Sequence, residues 1–225
     1  MSQIDLDAFL LTLKLAAIST ALLIICATPV AFWLSRTQNR AKVLIESVIC
    51  LLMVLPPTVL GFYLLIAFGS NSPVGQFLES TFGIRLAFSF SGLVIGSMIY
   101  SLPFVVSPLQ NSFAQVGSRT IEIAQTLRAS PVDTFVNVVL PLAKPGFITA
   151  TVLGFAHTMG EFGVVLMIGG NIPGKTKVLS IAIYDHVESM NYESAHLLSV
   201  FLLVFSILML MIFFRFNKQQ NSWLS

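Results

Sequence analysis

Charge is what this 225-residue chain has least of: Asp, Glu, Lys and Arg make up 10% of it, against 56% apolar residues and a mean hydropathy of +0.87. A soluble domain clothes its surface in charge, so this scarcity excludes one and makes lipid the expected solvent. The net charge of +2 is too small, and the basic residues too scattered, for a nucleic-acid surface. Cysteine is nearly absent. Cys26 and Cys50 both lie inside apolar runs, where the expected role is that of a small buried hydrophobe, and they do not bear on redox compartment. HExxH, GxSxG and paired intramembrane aspartates are all missing, which weighs against an intramembrane enzyme. His186, Glu188, Glu193 and His196 lack metal-ligand spacing and read as a solvated loop, so no metal site is expected.

What the chain does have is long apolar runs. Five reach the roughly 20 residues that cross a bilayer: Ala8 to Leu34, Val43 to Phe68, Leu86 to Leu109, Pro145 to Gly169 and Ala195 to Phe214. The first is too long for a cleavable signal peptide and is preceded by Asp5 and Asp7 in place of a basic cluster. The expected fold is therefore all-α: a polytopic membrane bundle of about five transmembrane helices, forming one domain over residues 1–225. Arg36, Arg40, Lys42, Arg119, Arg128, Lys144, Arg215 and Lys218 fall on one side of it, and Lys14, Arg85, Lys175 and Lys177 on the other. Cytoplasmic loops carry the basic excess, which puts the amino terminus outside, the carboxyl terminus inside, and the polar segment 110–144 in the cytoplasm.

Within the second run, LPPTVLG at Leu55 to Gly61 places Pro56 and Pro57 in mid-membrane, where they remove two amide donors and break the helix. Pore lining and a simple kink between packed helices both fit, and this is the one strong break expected. The third run has small residues at Ser89, Ser91, Gly92, Gly96, Ser97 and Ser101, suited to close helix packing or to a pathway wall. In the fourth, Glu161 sits deep in apolar sequence between Gly160 and Phe162-Gly163, with His157 four residues earlier on the same helical face. A structural pair and a gate both suit that arrangement. Gly69 to Arg85 reads as an outer loop with a short helix near Val74 to Thr81. Val178 to Tyr184 reads as an interfacial or re-entrant helix. GGNIPGKT, from Gly169 to Thr176, matches the phosphate-loop pattern, but it follows a membrane helix instead of a strand, and Pro173 removes an amide.

The segment 110–144 carries two helix signatures. Gly117 and Ser118 start one, and Ser130-Pro131-Val132-Asp133 starts the next with a serine cap, a proline at the first position and an acid in the first turn. Val132, Phe135, Val136, Val139 and Leu140 form an apolar stripe in the second helix, opposite Asp133, Thr134 and Asn137, and Pro141 and Pro145 close it. The first helix offers Glu122, Gln125, Thr126, Arg128 and Ser130 around small apolar residues, a surface that suits a protein groove.

That segment resembles the EAA loop of bacterial ABC importer permeases. Glu122, Ala124 and Leu140-Pro141 fit the motif, whereas Ile123 replaces its middle alanine and Arg128 occupies its usual glycine. VLPPTVLGFYLL, MGEFGVVLMIGGNIPGKTKVLSIAIY and TLRASPVDTFVNVVLPLAKPG are similar to the molybdate permease subunits, and with the order of the runs the resemblance covers nearly the whole chain. Sulfate-type oxyanion permeases are the nearest alternative. The resemblance implies the type I ABC importer permease fold with a cytoplasmic coupling helix. It implies a homodimer in the cell inner membrane, moving molybdate or tungstate by alternating access without chemistry of its own. Its implied partners are two cytoplasmic ABC ATPases, a periplasmic oxyanion-binding protein and the lipid bilayer, with ATP and Mg on the ATPase and no cofactor on this chain. The implied ATPase-docking residues are Glu122, Ala124, Gln125, Thr126, Leu127, Arg128, Ala129, Ser130 and Pro131. The gate or pathway would comprise Pro56, Pro57, Thr58 and Gly61 with Gly160, Glu161, Phe162 and Gly163, and would offer a dianion hydroxyls and backbone dipoles in place of carboxylates. An enzyme using His157, Glu161 and His186, and an autonomous channel or ion-coupled carrier with broken helices in both halves, are the competing classes.

Overall fold

In the computed structural model, which describes residues 3–221, long apolar helices are joined by short polar turns. The first, α1 (Gln3–Arg36), runs through Pro29 without ending. Two of its hydroxyls turn back on the helix: Thr12 donates to the Ala8 carbonyl and Thr28 to the Ile24 carbonyl, each at 2.7 Å, so neither is left unpaired in an apolar setting. The second apolar run is two helices, α2 (Ala41–Val54) and α3 (Pro57–Phe68), bent by 112°. At 1.5 Å per residue neither alone reaches the roughly 30 Å of a bilayer core, so only the bent pair together has the length of a crossing, with the break at the expected prolines. Pro56 and Pro57 cause the break, and Pro57 then serves as the first residue of α3, where a missing N–H is harmless.

The next helix, α4 (Pro73–Phe82), is capped by Ser72, whose Oγ accepts from the Gly75 N–H at 2.8 Å, and is ended by left-handed Gly83. Beyond it Arg85 grips Glu79 through Nε at 2.7 Å and Nη2 at 2.6 Å, which holds that carboxyl below its usual pKa. The third long helix, α5 (Phe90–Gln115), starts four residues later than expected and runs six residues further, through Pro103 and Pro108. Then come α6 (Ser118–Thr126) and α7 (Pro131–Leu142), the latter π-wound over Phe135–Val139.

The fourth run is also broken. It forms α8 (Lys144–Met159) and α9 (Gly163–Gly169), separated at Gly160–Phe162, a second break where sequence reasoning expected only one. The chain ends in α10 (Leu179–Glu188) and α11 (Tyr192–Asn221). His186, Glu188, Glu193 and His196 are therefore helical and not in a loop, and His186 Nε2 meets Asp5 Oδ1 of α1 at 3.0 Å. Among the described residues three helices are individually long and apolar enough to cross a membrane, and up to five if the bent pairs α2–α3 (112°) and α7–α8 (67°) each count as one span. Cys26 and Cys50 are exposed on apolar helix faces instead of buried, since the bundle leaves those faces uncovered.

Close approach fixes the centre of the bundle, where α1, α5 and α8 pack on one another. Gly146, Ala150 and Gly154 recur every fourth residue of α8 and are buried against α5. A Cβ on Gly146 would lie 2.2 Å from Ser112 Cβ, and one on Gly154 would lie 2.7 Å from Val105 Cγ2. Small residues at this spacing let two backbones meet. Around this crossing one cluster joins Leu23, Leu34, Leu109, Phe113 and Val139, and a second joins Leu15, Leu93, Val164, Ile168 and Ile181.

The α6–α7 turn resolves the irregularity at Arg128. The Ala129 N–H bonds to the Ala124 carbonyl at 3.1 Å and the Arg128 N–H to the Gln125 carbonyl at 2.9 Å, a Schellman ending with Arg128 in the left-handed region at φ 63°. The residue that replaces glycine thus keeps the conformation glycine favours, at a cost of about 1 kcal/mol. Arg128→Gly is expected to raise stability by about that amount in a thermal melt of the solubilised protein. An unchanged or lower melting point would show that the arginine side chain compensates.

In α7 the expected stripe splits. Phe135 and Val139 pack inward, while Val132 and Val136 are exposed and Thr134 is buried, because the wider π turn shifts the helical phase along α7. Pro141 does not close the helix; it lies inside the last turn, and Pro145 opens α8.

Candidate functional site

The two breaks meet. α3 packs on α9 through glycines: a Cβ on Gly163 would lie 2.9 Å from Pro57 Cβ and 3.4 Å from the Thr58 nitrogen, and one on Gly61 would lie 2.8 Å from Met167 Cβ. Behind this contact opens a cavity of about 490 Å³ lined by Pro57, Thr58, Tyr100, Ala156, His157, Gly160, Glu161, Phe162 and Gly163. Of the expected pathway residues, Pro57, Thr58 and Gly160 to Gly163 line it. Pro56 is the hinge residue just before α3, and Gly61 is a packing residue one turn further on.

Glu161 occupies the interrupted turn between α8 and α9 and is 3% exposed. Its carboxylate is held from α5: Ser97 Oγ donates to Oε2, and Ser101 Oγ lies 3.2 Å from Oε1. Ser101 also meets His157 Nδ1 at 2.9 Å and Thr158 Oγ1 at 3.1 Å, while His157 Nδ1 stands 3.7 Å from Glu161 Oε1. The His157 ring stacks on Phe104 with centroids 4.0 Å apart and tilts against Tyr100 at 4.7 Å. Ser180 of α10 donates to the Glu161 backbone carbonyl, so the turn is tied on both sides. A carboxylate this deep is tolerated only with such partners. The arrangement is a latch across the break, with Thr58, Tyr100 and His157 left as the polar groups beside the cavity. Sequence reasoning found Glu161 and His157 but missed Ser97, Ser101, Thr158 and Tyr100 as their partners. The helical spacing of Ser97 and Ser101 was the available signal, and it equally fits close packing.

At the other end of the bundle, Glu122, Gln125, Thr126, Leu127, Arg128, Ser130 and Pro131 are exposed, Ala129 is half-buried, and Ala124 is buried at 8% exposure. Leu127 is 79% exposed, and Ile123 and Val132, which are outside the expected docking set, extend the apolar surface beside it. Ser130 caps α7 by accepting from the Asp133 N–H at 3.2 Å.

GGNIPGKT is closed on itself. Thr176 Oγ1 accepts from the Ile172 N–H at 3.0 Å and donates to the Gly169 carbonyl at 2.7 Å, and Lys177 pairs with Asp185, which also takes the Asn171 amide. The hydroxyl a phosphate loop would offer to a metal is thus used inside the turn. Among the described residues no three His, Cys, Asp or Glu side chains converge on a metal position.

Residues 13–224 match the family model described as the binding-protein-dependent transport system inner membrane component. The chain belongs to that family. It is a multi-pass inner-membrane transport subunit and not an enzyme, and its family works with an ATPase and a substrate-binding protein. The molybdenum transport system permease protein ModB of Azotobacter vinelandii is 56% identical over 93% of this chain and 93% of its own. The protein of the same name from Haemophilus influenzae is 34% identical over 98% of this chain and 93% of its own. The fold is that of ABC importer permeases: the methionine transporter MetNI in inward-facing form superposes with a TM-score of 0.72 at 16% identity, over 97% of this chain and 99% of that one. Broken helices in two spans therefore do not signal an autonomous carrier here.

Proposed function

We propose that the chain is the membrane-spanning subunit of an ATP-driven molybdate importer, which also accepts tungstate. It works as a homodimer with its amino terminus outside and its carboxyl terminus in the cytoplasm. One observation carries this reading: where the two broken spans meet, the cavity is lined by a hydroxyl, a phenol and an imidazole, and the one carboxylate at its wall is bonded back to α5. A tetrahedral dianion is met by O–H and N–H donors, and donors without a cation hold it weakly enough to release it. The 56% identity to ModB over nearly the full length supports molybdate as the cargo. A periplasmic oxyanion-binding protein delivers it, and ATPase closure pulls on α6 and α7 to rock the spans about the Pro56 and Gly160 breaks. The test is uptake of isotopic molybdate, with sulfate as competitor, in cells lacking this chain and complemented by it. Restoration that excess sulfate abolishes would assign the cargo to sulfate instead.

The docking surface is α6 and the start of α7, from Glu122 to Pro131. Leu127→Glu, which puts a carboxylate on the most exposed apolar side chain there, is expected to weaken ATPase co-purification about tenfold or more. Full co-purification and unchanged molybdate-stimulated hydrolysis would move the docking site elsewhere.

A further inference from the structure

One face of α5 links the cavity at the breaks to a second one nearer its carboxyl end. Tyr100, Phe104, Ser107, Asn111 and Gln115 recur at three- and four-residue intervals, which aligns them along one side of the helix. Tyr100 lines the first cavity, and Phe104 stacks on His157 at its edge. Ser107, Asn111 and Gln115, facing Thr149 and Pro145 of α8, line the second, of about 410 Å³. No Asp, Glu, Lys or Arg lines it.

The three α5 side chains there are exposed and make no side-chain hydrogen bond to any described residue. Their neighbour Gln110 points the other way and donates to Glu46 Oε1 at 2.6 Å. A carboxamide left unpaired against lipid would cost about 1–3 kcal/mol, so this side of a largely apolar helix is built to meet water or a polar solute. Two carboxamides and a hydroxyl offer N–H and O–H donors with no fixed charge.

We propose that this second cavity is a transit site for a tetrahedral oxyanion, the inner half of the conduit. Asn111 and Gln115 supply the N–H donors, and the Tyr100 to Gln115 face is the track that leads to it. The inference rests on the reading of the chain as an oxyanion permease. Lacking a cation, the site passes the anion on without retaining it.

The test uses the complete transporter in vesicles, with Cys26 and Cys50 replaced by serine and Asn111→Cys introduced. An anionic, membrane-impermeant thiol reagent is expected to label this cysteine. Sodium molybdate at about ten times its Kd is expected to slow the labelling about tenfold. Ile207→Cys, on an exposed apolar face of α11, is expected to stay unlabelled. An unlabelled Asn111→Cys, as lipid or a second copy covering this face would produce, overturns the proposal; so does labelling at a rate molybdate leaves unchanged. Gln115→Cys replaces it if Asn111→Cys does not assemble. As a second measure, Asn111→Asp is expected to lower molybdate uptake about tenfold at equal permease content, through like-charge repulsion. Unchanged uptake would equally overturn the site. Wild-type vesicles that take up no molybdate would instead undo the substrate reading, an outcome separable from any labelling result.

Discussion

Glu161→Ala is expected to cost about 2–4 kcal/mol of stability and to reduce molybdate uptake more than tenfold, whereas Glu161→Gln retains most of both. The alanine removes the acceptor for Ser97 and Ser101 together, in a setting where Glu161 is 3% exposed and water cannot readily replace it. It also frees His157, whose Nδ1 shares Ser101 with the carboxylate. Glutamine keeps one acceptor oxygen for the serines at the same length. Thermal unfolding of the solubilised transporter, read beside uptake, separates the two effects. If Glu161→Ala melts and transports like the wild type, the break between α8 and α9 is held by packing alone and the latch assignment is wrong. Wild-type melting with lost uptake would make Glu161 a pathway group and not a structural tie.

The second large effect is steric. Gly146→Leu is expected to prevent assembly or to lower stability by about 3 kcal/mol or more, because even its Cβ would meet Ser112 Cβ at 2.2 Å and the Pro108 carbonyl oxygen at 3.0 Å. Neither neighbour can swing away as a flexible side-chain tip could. Gly154→Ala is the graded comparison: its Cβ would meet Val105 Cγ2 at 2.7 Å, a methyl that a rotamer change can move. A smaller loss is therefore expected there, about 1 kcal/mol. Comparable melting points for both variants would show that α5 and α8 slide apart readily and that their crossing is not fixed by the glycines.

The sequence was most legible where one physical rule dominates. Lack of charge and run length gave the helical membrane class, because a helix in lipid must satisfy its own backbone. Ser130-Pro131 and Pro56-Pro57 marked a helix start and a helix break, because capping and the missing proline N–H act within a few residues. Arg128 departs from the motif's glycine, but its left-handed φ cannot be read from the residue type, since tertiary context holds a non-glycine there. The stripe in α7 failed for a similar reason: a period of 3.6 assumes an α-helix, and five residues are π-wound.

The sequence by itself determined what the chain is made of and where its backbone is weak: all-α, lipid-borne, with glycines and prolines at hinges and an exposed polar segment between the third and fourth runs. Only the tertiary structure decided what those places do together. That the break at Gly160 exists, that it lies against Pro57, and that Ser97 and Ser101 close on Glu161 from 64 and 60 positions away all depend on contacts between helices distant in sequence. The physical reason is that a hydrogen bond or a close approach has no sequence period of its own, and it emerges only when Gly146 and Gly154 let α8 sink against α5 and bring the two faces together.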